Sequence, residues 1–171
     1  MIIFEQRLGE LVELLPSYAD SNSNVFKVRY EWGTVDVLNK FLVMPENVSK
    51  YPLIWLVNGT DNHELREPRV TRSCRIIIAT NSDKQDNFND FIYKTDYETL
   101  LIPVMENLLQ SFKQSGISIL SNDNVSTQYL PNYSINDNGK GMIYVWNAIS
   151  LECELSFNNQ QCINKIFFNN N

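Results

Sequence analysis

The sequence predicts an α+β domain, an antiparallel or mixed β-sheet with helices packed mainly on one face. Three features lead there. Met142 to Phe157 alternates with the two-residue period of a strand. Two segments, starting at Ile2 and at Thr95, carry apolar residues at the three-and-four spacing of amphipathic helices. The remaining strand candidates fall in hairpin-like pairs rather than in regular βαβ alternation. No repeat or linker divides the chain, so residues 1–171 read as one domain.

Ile2 to Leu15 reads as a helix, with Ile3, Phe4, Leu8, Leu11, Val12 and Leu15 on one side and Pro16 ending the run. Ser17 to Asn24 is a polar loop. Val25 to Trp32 is expected to be a half-buried strand, Phe26, Val28, Tyr30 and Trp32 alternating with Lys27, Arg29 and Glu31. Thr34 is placed to cap a short helix that presents Val35, Leu38, Phe41 and Leu42 and stops at Pro45.

Pro52 to Asn58 is apolar on both parities, which predicts a central strand covered on both faces. Asn58-Gly59 signals a turn into a polar loop that runs to Pro68. Arg69 to Thr80 is the next strand, polar in its outer half and apolar on both sides in its inner half. Asn81 to Asn89 reads as loop.

Thr95 and Glu98 have the spacing of a capping box, followed by an apolar stripe of Tyr97, Leu100, Leu101, Val104, Leu108 and Phe112. Pro103 lies inside this helix and predicts a kink; Gly116 is placed for a left-handed C-cap. Ile117 to Leu120 is a short strand. Residues 122–140 read as a loop-like insertion in which Val125 to Tyr133 pairs only transiently.

The long strand follows. Ile143, Val145, Ile149, Leu151, Cys153, Leu155 and Phe157 share one parity; Tyr144, Trp146, Ser150, Glu152, Glu154 and Ser156 share the other. Fully extended, it would reach ~50 Å, longer than a small domain easily covers. It is therefore expected to pair with a long hairpin or with another copy of the chain. Asn158 to Gln161 turn the chain, and Cys162 to Phe168 return as a last strand within a C-terminal segment, 158–171.

Composition narrows the function classes. Apolar residues make up 43% and charged residues 20%, the balance of a globular domain. A net charge of −6 argues against a dedicated nucleic-acid binder. No run is long and apolar enough to cross a bilayer, and the first residues lack a secretory pattern, so no membrane partner is expected. Cys74, Cys153 and Cys162 have no metal-like spacing and read as reduced thiols of a reducing compartment.

No catalytic constellation emerges. The only histidine, His63, stands beside Asp61, short of the ligands a zinc site needs, and loop solvation is the simpler reading. Neither a nucleophile elbow nor a phosphate-cradling glycine loop occurs, and Gly139-Lys140-Gly141 precedes no helix. Asp36, Asp61, Asp83 and Asp86 lie on separate segments, not in a nuclease-like cluster. No catalytic residue, metal ligand or cofactor is assigned.

Arg66, Arg69, Arg72 and Arg75 form the one basic cluster. It reads first as a solvated strand edge, then as a contact to acidic surfaces of sister subunits, and last as a DNA contact. Arginine favours the second because its planar fork pairs bidentately with carboxylates. Glu152 and Glu154 are natural partners for such a contact. Tyr144 and Trp146 are expected under a helix of this chain, with a partner subunit as the alternative cover. These eight residues are the candidate subunit-interface set.

The element order resembles a known family. An N-terminal helix leads to a strand, a short helix and a strand opening with Tyr51, Pro52 and Trp55. A strand with a charged start, a helix containing Ile102-Pro103-Val104 and a closing strand with Trp146 complete the layout. Over roughly residues 1–160 it resembles the tail-terminator and tail-completion proteins of tailed bacteriophages, including ring proteins of the head–tail junction. The resemblance implies a non-catalytic ring of identical subunits in the virion, assembled in the host cytoplasm. Its partners would be neighbouring neck or tail proteins, and DNA would pass through the ring without specific recognition. The 122–140 insertion and the Asn-rich C-terminus depart from the family pattern. A small cytosolic protein-binding adaptor, and a metal-dependent nuclease or hydrolase whose site the sequence does not reveal, remain alternatives.

Overall fold

A computed structural model describes residues 3–20, 23–47, 52–64, 66–82, 92–119, 124–133 and 145–158. Helix α1 (Phe4–Glu13) is followed by β1 (Tyr18–Ala19), β2 (Val25–Phe26), β3 (Arg29–Gly33), α2 (Val35–Leu42) and a 3-10 turn at Pro45–Asn47. Then come β4 (Leu53–Val57), β5 (Asp61–His63) and β6 (Arg69–Ser82). A π-helical segment, Tyr93–Leu101, runs into α3 (Ile102–Ser115), and β7 (Ser118–Ile119), β8 (Ser126–Leu130) and β9 (Val145–Asn158) finish the described chain.

Seven strands form one mixed sheet in the order β3-β4-β6-β9-β7, with β5 also on β6 and β8 also on β9. Only β3 and β4 are parallel, joined through α2; every other pairing is antiparallel. The fold class is thus the α+β arrangement the sequence predicts. The spine is the β6–β9 ladder, whose register runs without a break from Arg69↔Asn158 to Ser82↔Val145. The long strand finds its long partner inside the same chain.

One face of the sheet carries the main core. Phe4, Leu8, Leu11 and Val12 of α1, Tyr97, Leu100 and Leu101 of the π segment, and Val104, Leu108 and Phe112 of α3 pack on Ile54, Leu56, Ile76, Ile78, Ile149 and Leu151. The apolar spacing in the sequence marks these helix faces well. Gly9 lets α1 lie close to β3, because a Cβ there would sit 3.1 Å from the Tyr30 ring, whose hydroxyl donates to the Glu5 carbonyl at 2.9 Å. The other face has a smaller core, where Leu38 and Leu42 of α2 cover Leu53, Trp55, Ile77, Ala79, Trp146 and Ala148. Double burial explains why Pro52–Asn58 is apolar on both parities.

Several boundaries differ from expectation. The strand expected at Val25–Trp32 is two: β2 pairs with β1, and the chain breaks at Lys27-Val28, where the Lys27 ammonium donates to the Leu15 carbonyl at 3.3 Å. The loop expected from Asn58 to Pro68 contains β5, and the insertion expected as loop contains β8, a full partner of β9 from Ser126↔Glu152 to Leu130↔Ala148. Asn81 and Ser82 still belong to β6. The Thr95 capping box does not form as such: helical backbone already runs at Ile92, and the Thr95 hydroxyl donates back to the Ile92 carbonyl at 3.5 Å. Pro103 lies in the first turn of α3, just after the change from π to α winding, where its missing N–H is least missed. Gly116 adopts the expected left-handed conformation, φ 83°. Met142 to Tyr144, residues 134–140, and the turn and last strand expected after Asn158, with Cys162, lie outside the described residues.

Candidate interaction surface

Register decides which side chains of the spine point together, since direct antiparallel partners share a face. On the α2 side, the pairs from the ladder's middle to its end are Ile77↔Ser150, Arg75↔Glu152, Ser73↔Glu154, Thr71↔Ser156 and Arg69↔Asn158. Helix α2 covers the apolar half beyond Ile77. The rest is polar: Arg69, Ser73 and Glu152 are exposed, Thr71, Arg75, Glu154 and Asn158 half-buried, and Ser156 buried. A shallow hollow of about 350 Å³ lies over Asn58, Ser73, Arg75 and Glu152, and another of about 250 Å³ lies by Glu67, Arg69, Gly116 and Asn158.

The four arginines do not act as one cluster. Arg72 belongs to the opposite face and is only 3% exposed. Its Nη1 donates to Glu5 of α1 at 2.6 Å, its Nε donates to Asp61 of β5 at 2.5 Å, and its guanidinium lies 5.0 Å from the centre of the Phe4 ring. Burial alone would lower the Arg72 pKa; the hydrogen bonds and charges of Asp61 and Glu5 outweigh it and raise it. Arg72 is therefore removed from the candidate interface: it is an internal clamp between α1, β5 and β6. Its parity, shared with Val70 and Cys74, holds the sequence signal. An arginine among apolar strand positions calls for buried carboxylates.

Arg75 is used within the chain as well. Its Nε donates to the Ser150 hydroxyl at 3.2 Å and stands 3.8 Å from Glu152, its direct cross-strand partner. With side chains 39% and 65% exposed, the Arg75–Glu152 pair contributes at most about 1 kcal/mol. Nearby, burial pushes the Tyr133 phenol pKa up, with Arg75 opposing.

Arg66 and Arg69 differ. Both are exposed at the end of the β5–β6 hairpin, which the Glu64 N–H closes onto the Arg69 carbonyl at 3.0 Å. Neither has a carboxylate within ion-pair distance among the described residues. Trp146 also leaves the candidate interface, because it is fully buried under α2 and its indole N–H donates to the Leu42 carbonyl at 2.9 Å. The helix of this chain, not a partner, covers it. Tyr144 lies outside the described residues.

His63 is exposed on β5, and Asp61 is engaged by Arg72. Among the described residues, no three His, Cys, Asp or Glu side chains gather as a metal site would need. None of the helices described is long and apolar enough to cross a membrane. What the surface offers chemically is a polar end of a sheet with two exposed arginines, suited to carboxylates on another macromolecule. No model of a known protein family matches the chain, and no curated protein matches it either.

Proposed function

We propose that the protein is a structural subunit of a homo-oligomeric ring of the kind that joins or closes tail and neck in tailed bacteriophages. It would act by assembly rather than by catalysis. The observation that carries the reading is the pair Arg66 and Arg69, exposed at one end of the sheet with no carboxylate partner among the described residues. With a net charge of −6, every sister subunit carries carboxylates in excess. Head-to-tail contacts between unlike patches close into a ring when their rotation closes. The element order that resembles tail terminators supports the ring over an open polymer. DNA passing through such a ring would meet an acidic protein, consistent with passage without specific recognition.

Native mass measurement together with electron microscopy of the purified chain and of the native particle tests this. The expected outcome is a closed ring whose mass is a whole multiple of 19.9 kDa. A single 19.9 kDa species in both settings overturns the ring and favours the adaptor reading.

A further inference from the structure

Cys74 of β6 and Cys153 of β9 are direct partners in the ladder, and both thiols are free. Residues directly opposite in an antiparallel pair have Cα atoms about 4.5 or 5.5 Å apart, depending on pair type. Either spacing falls inside the roughly 4.4–6.8 Å that a disulfide spans. Both side chains face the main core, Cys74 only 4% exposed and Cys153 half-buried at its border. Access is through Cys153, which is half-buried where Cys74 is buried.

We propose that Cys74 and Cys153 are a reversible oxidation site that closes into a cross-strand disulfide when the protein meets a peroxide. Cys153 is the more exposed of the two, so reaction begins there; burial raises both thiols, which keeps the thiolate scarce at neutral pH and the reaction slow. The Cys153 thiolate attacks one peroxide oxygen, an S–O bond forms, the O–O bond breaks, and hydroxide leaves and takes up the thiol's proton as water. Cys74 sulfur then attacks the sulfenic sulfur of Cys153. The S–S bond forms, the S–O bond breaks, and the departing hydroxide leaves as water with the Cys74 proton. Two thiols and one hydrogen peroxide thus give one disulfide and two waters, each sulfur losing one electron. An external dithiol reverses the step.

The test is a disulfide map of the full chain. The protein is treated with hydrogen peroxide, its remaining thiols are alkylated under denaturing conditions, and it is digested without reduction. The expected product is a linked peptide pair containing Cys74 and Cys153, lighter than its parts by two hydrogens and lost after dithiothreitol. It should persist in a Cys162→Ser variant and vanish in Cys153→Ser. Recovery of Cys74 fully alkylated while Cys153 is over-oxidised, or joined to Cys162 or to a second chain, overturns the proposal. The wild-type map needs no cysteine variant to fold, so it decides the matter by itself.

Discussion

At Arg72, two carboxylates and one guanidinium sit where the parity of β6 calls for an apolar side chain. The arrangement joins three elements, but its stability value is one-sided, because removing one partner strands the others without compensation. Arg72→Ala is therefore expected to cost about 3–5 kcal/mol, measured by urea denaturation. A combined Glu5→Gln, Asp61→Asn and Arg72→Met variant should recover much of that loss, since no charge is then left buried. A single Arg72→Ala that unfolds at the wild-type urea concentration would show the clamp to be idle.

Other buried groups set the response to alkali. Burial pushes the Cys153 thiol up to about 11 and the Tyr18 phenol up to about 12, and Tyr30, Tyr97 and Cys74 rise further for the same reason. A group whose pKa is raised by folding holds its proton longer in the folded chain than in the unfolded one. Its stabilising contribution is complete below the unfolded pKa and is lost as pH rises through the folded one. Stability should hold to about pH 8.5, the ordinary thiol range, and then fall steadily toward pH 12. Thermal melts across that window, with tyrosinate absorbance followed in parallel, check the sign.

Among the elements, the helices were the most legible. The buried stripe of α1 and of Tyr97 to Phe112 is the one the three-and-four spacing marks, and Thr34 caps α2 as read, its Oγ1 accepting the Val37 N–H at 3.3 Å. Thr34→Ala should cost about 1 kcal/mol in equilibrium unfolding. At the other kind of terminus, Gly116→Ala should cost a similar ~1 kcal/mol through its left-handed backbone, and Gly116→Asn less.

Of the short strands, β7 falls within the strand read at Ile117–Leu120, but β5 and β8 were not legible, for a physical reason. The five residues of β8, Ser-Thr-Gln-Tyr-Leu, are mostly exposed, so no apolar alternation marks them; the hydrogen-bonding edge of β9 makes them a strand. The same holds for β5, whose Asp-Asn-His is defined by β6. The candidate interface was legible only in part. Parity placed Arg69 and Arg75 on one side, but nothing local could reveal that Glu5, distant in sequence, reaches Arg72.

For the whole molecule, Arg69 tests the proposed assembly and Trp146 tests the fold. Under the proposed assembly, Arg69→Glu is expected to leave the fold intact and to weaken association by about 2–5 kcal/mol if its contact is buried and by close to nothing if it is exposed, read as a shift from ring to smaller species in native mass spectra. Arg75→Glu should do less, because Arg75 already faces Glu152. Trp146→Ala should instead lower stability by about 3–5 kcal/mol through the cavity it leaves under α2. An Arg69→Glu protein that assembles like wild type at low and moderate salt would reduce the hairpin end to a solvated edge.

The β6–β9 ladder also bears on how the protein is made. Its partners, from Arg69↔Asn158 to Ser82↔Val145, meet only after every residue between them has been synthesised. On a ribosome, β3, β4 and β6 emerge with one hydrogen-bonding edge of β6 unpaired until β9 follows. Strands β7 and β8 emerge earlier still than the strand they pair with. A nascent chain arrested before residue 145 should thus be held in a protease-sensitive state, and release of β9 should convert it in one cooperative step. Protease digestion of ribosome-bound chains of increasing length would reveal that step as a single sharp gain in resistance once Asn158 has cleared the exit tunnel.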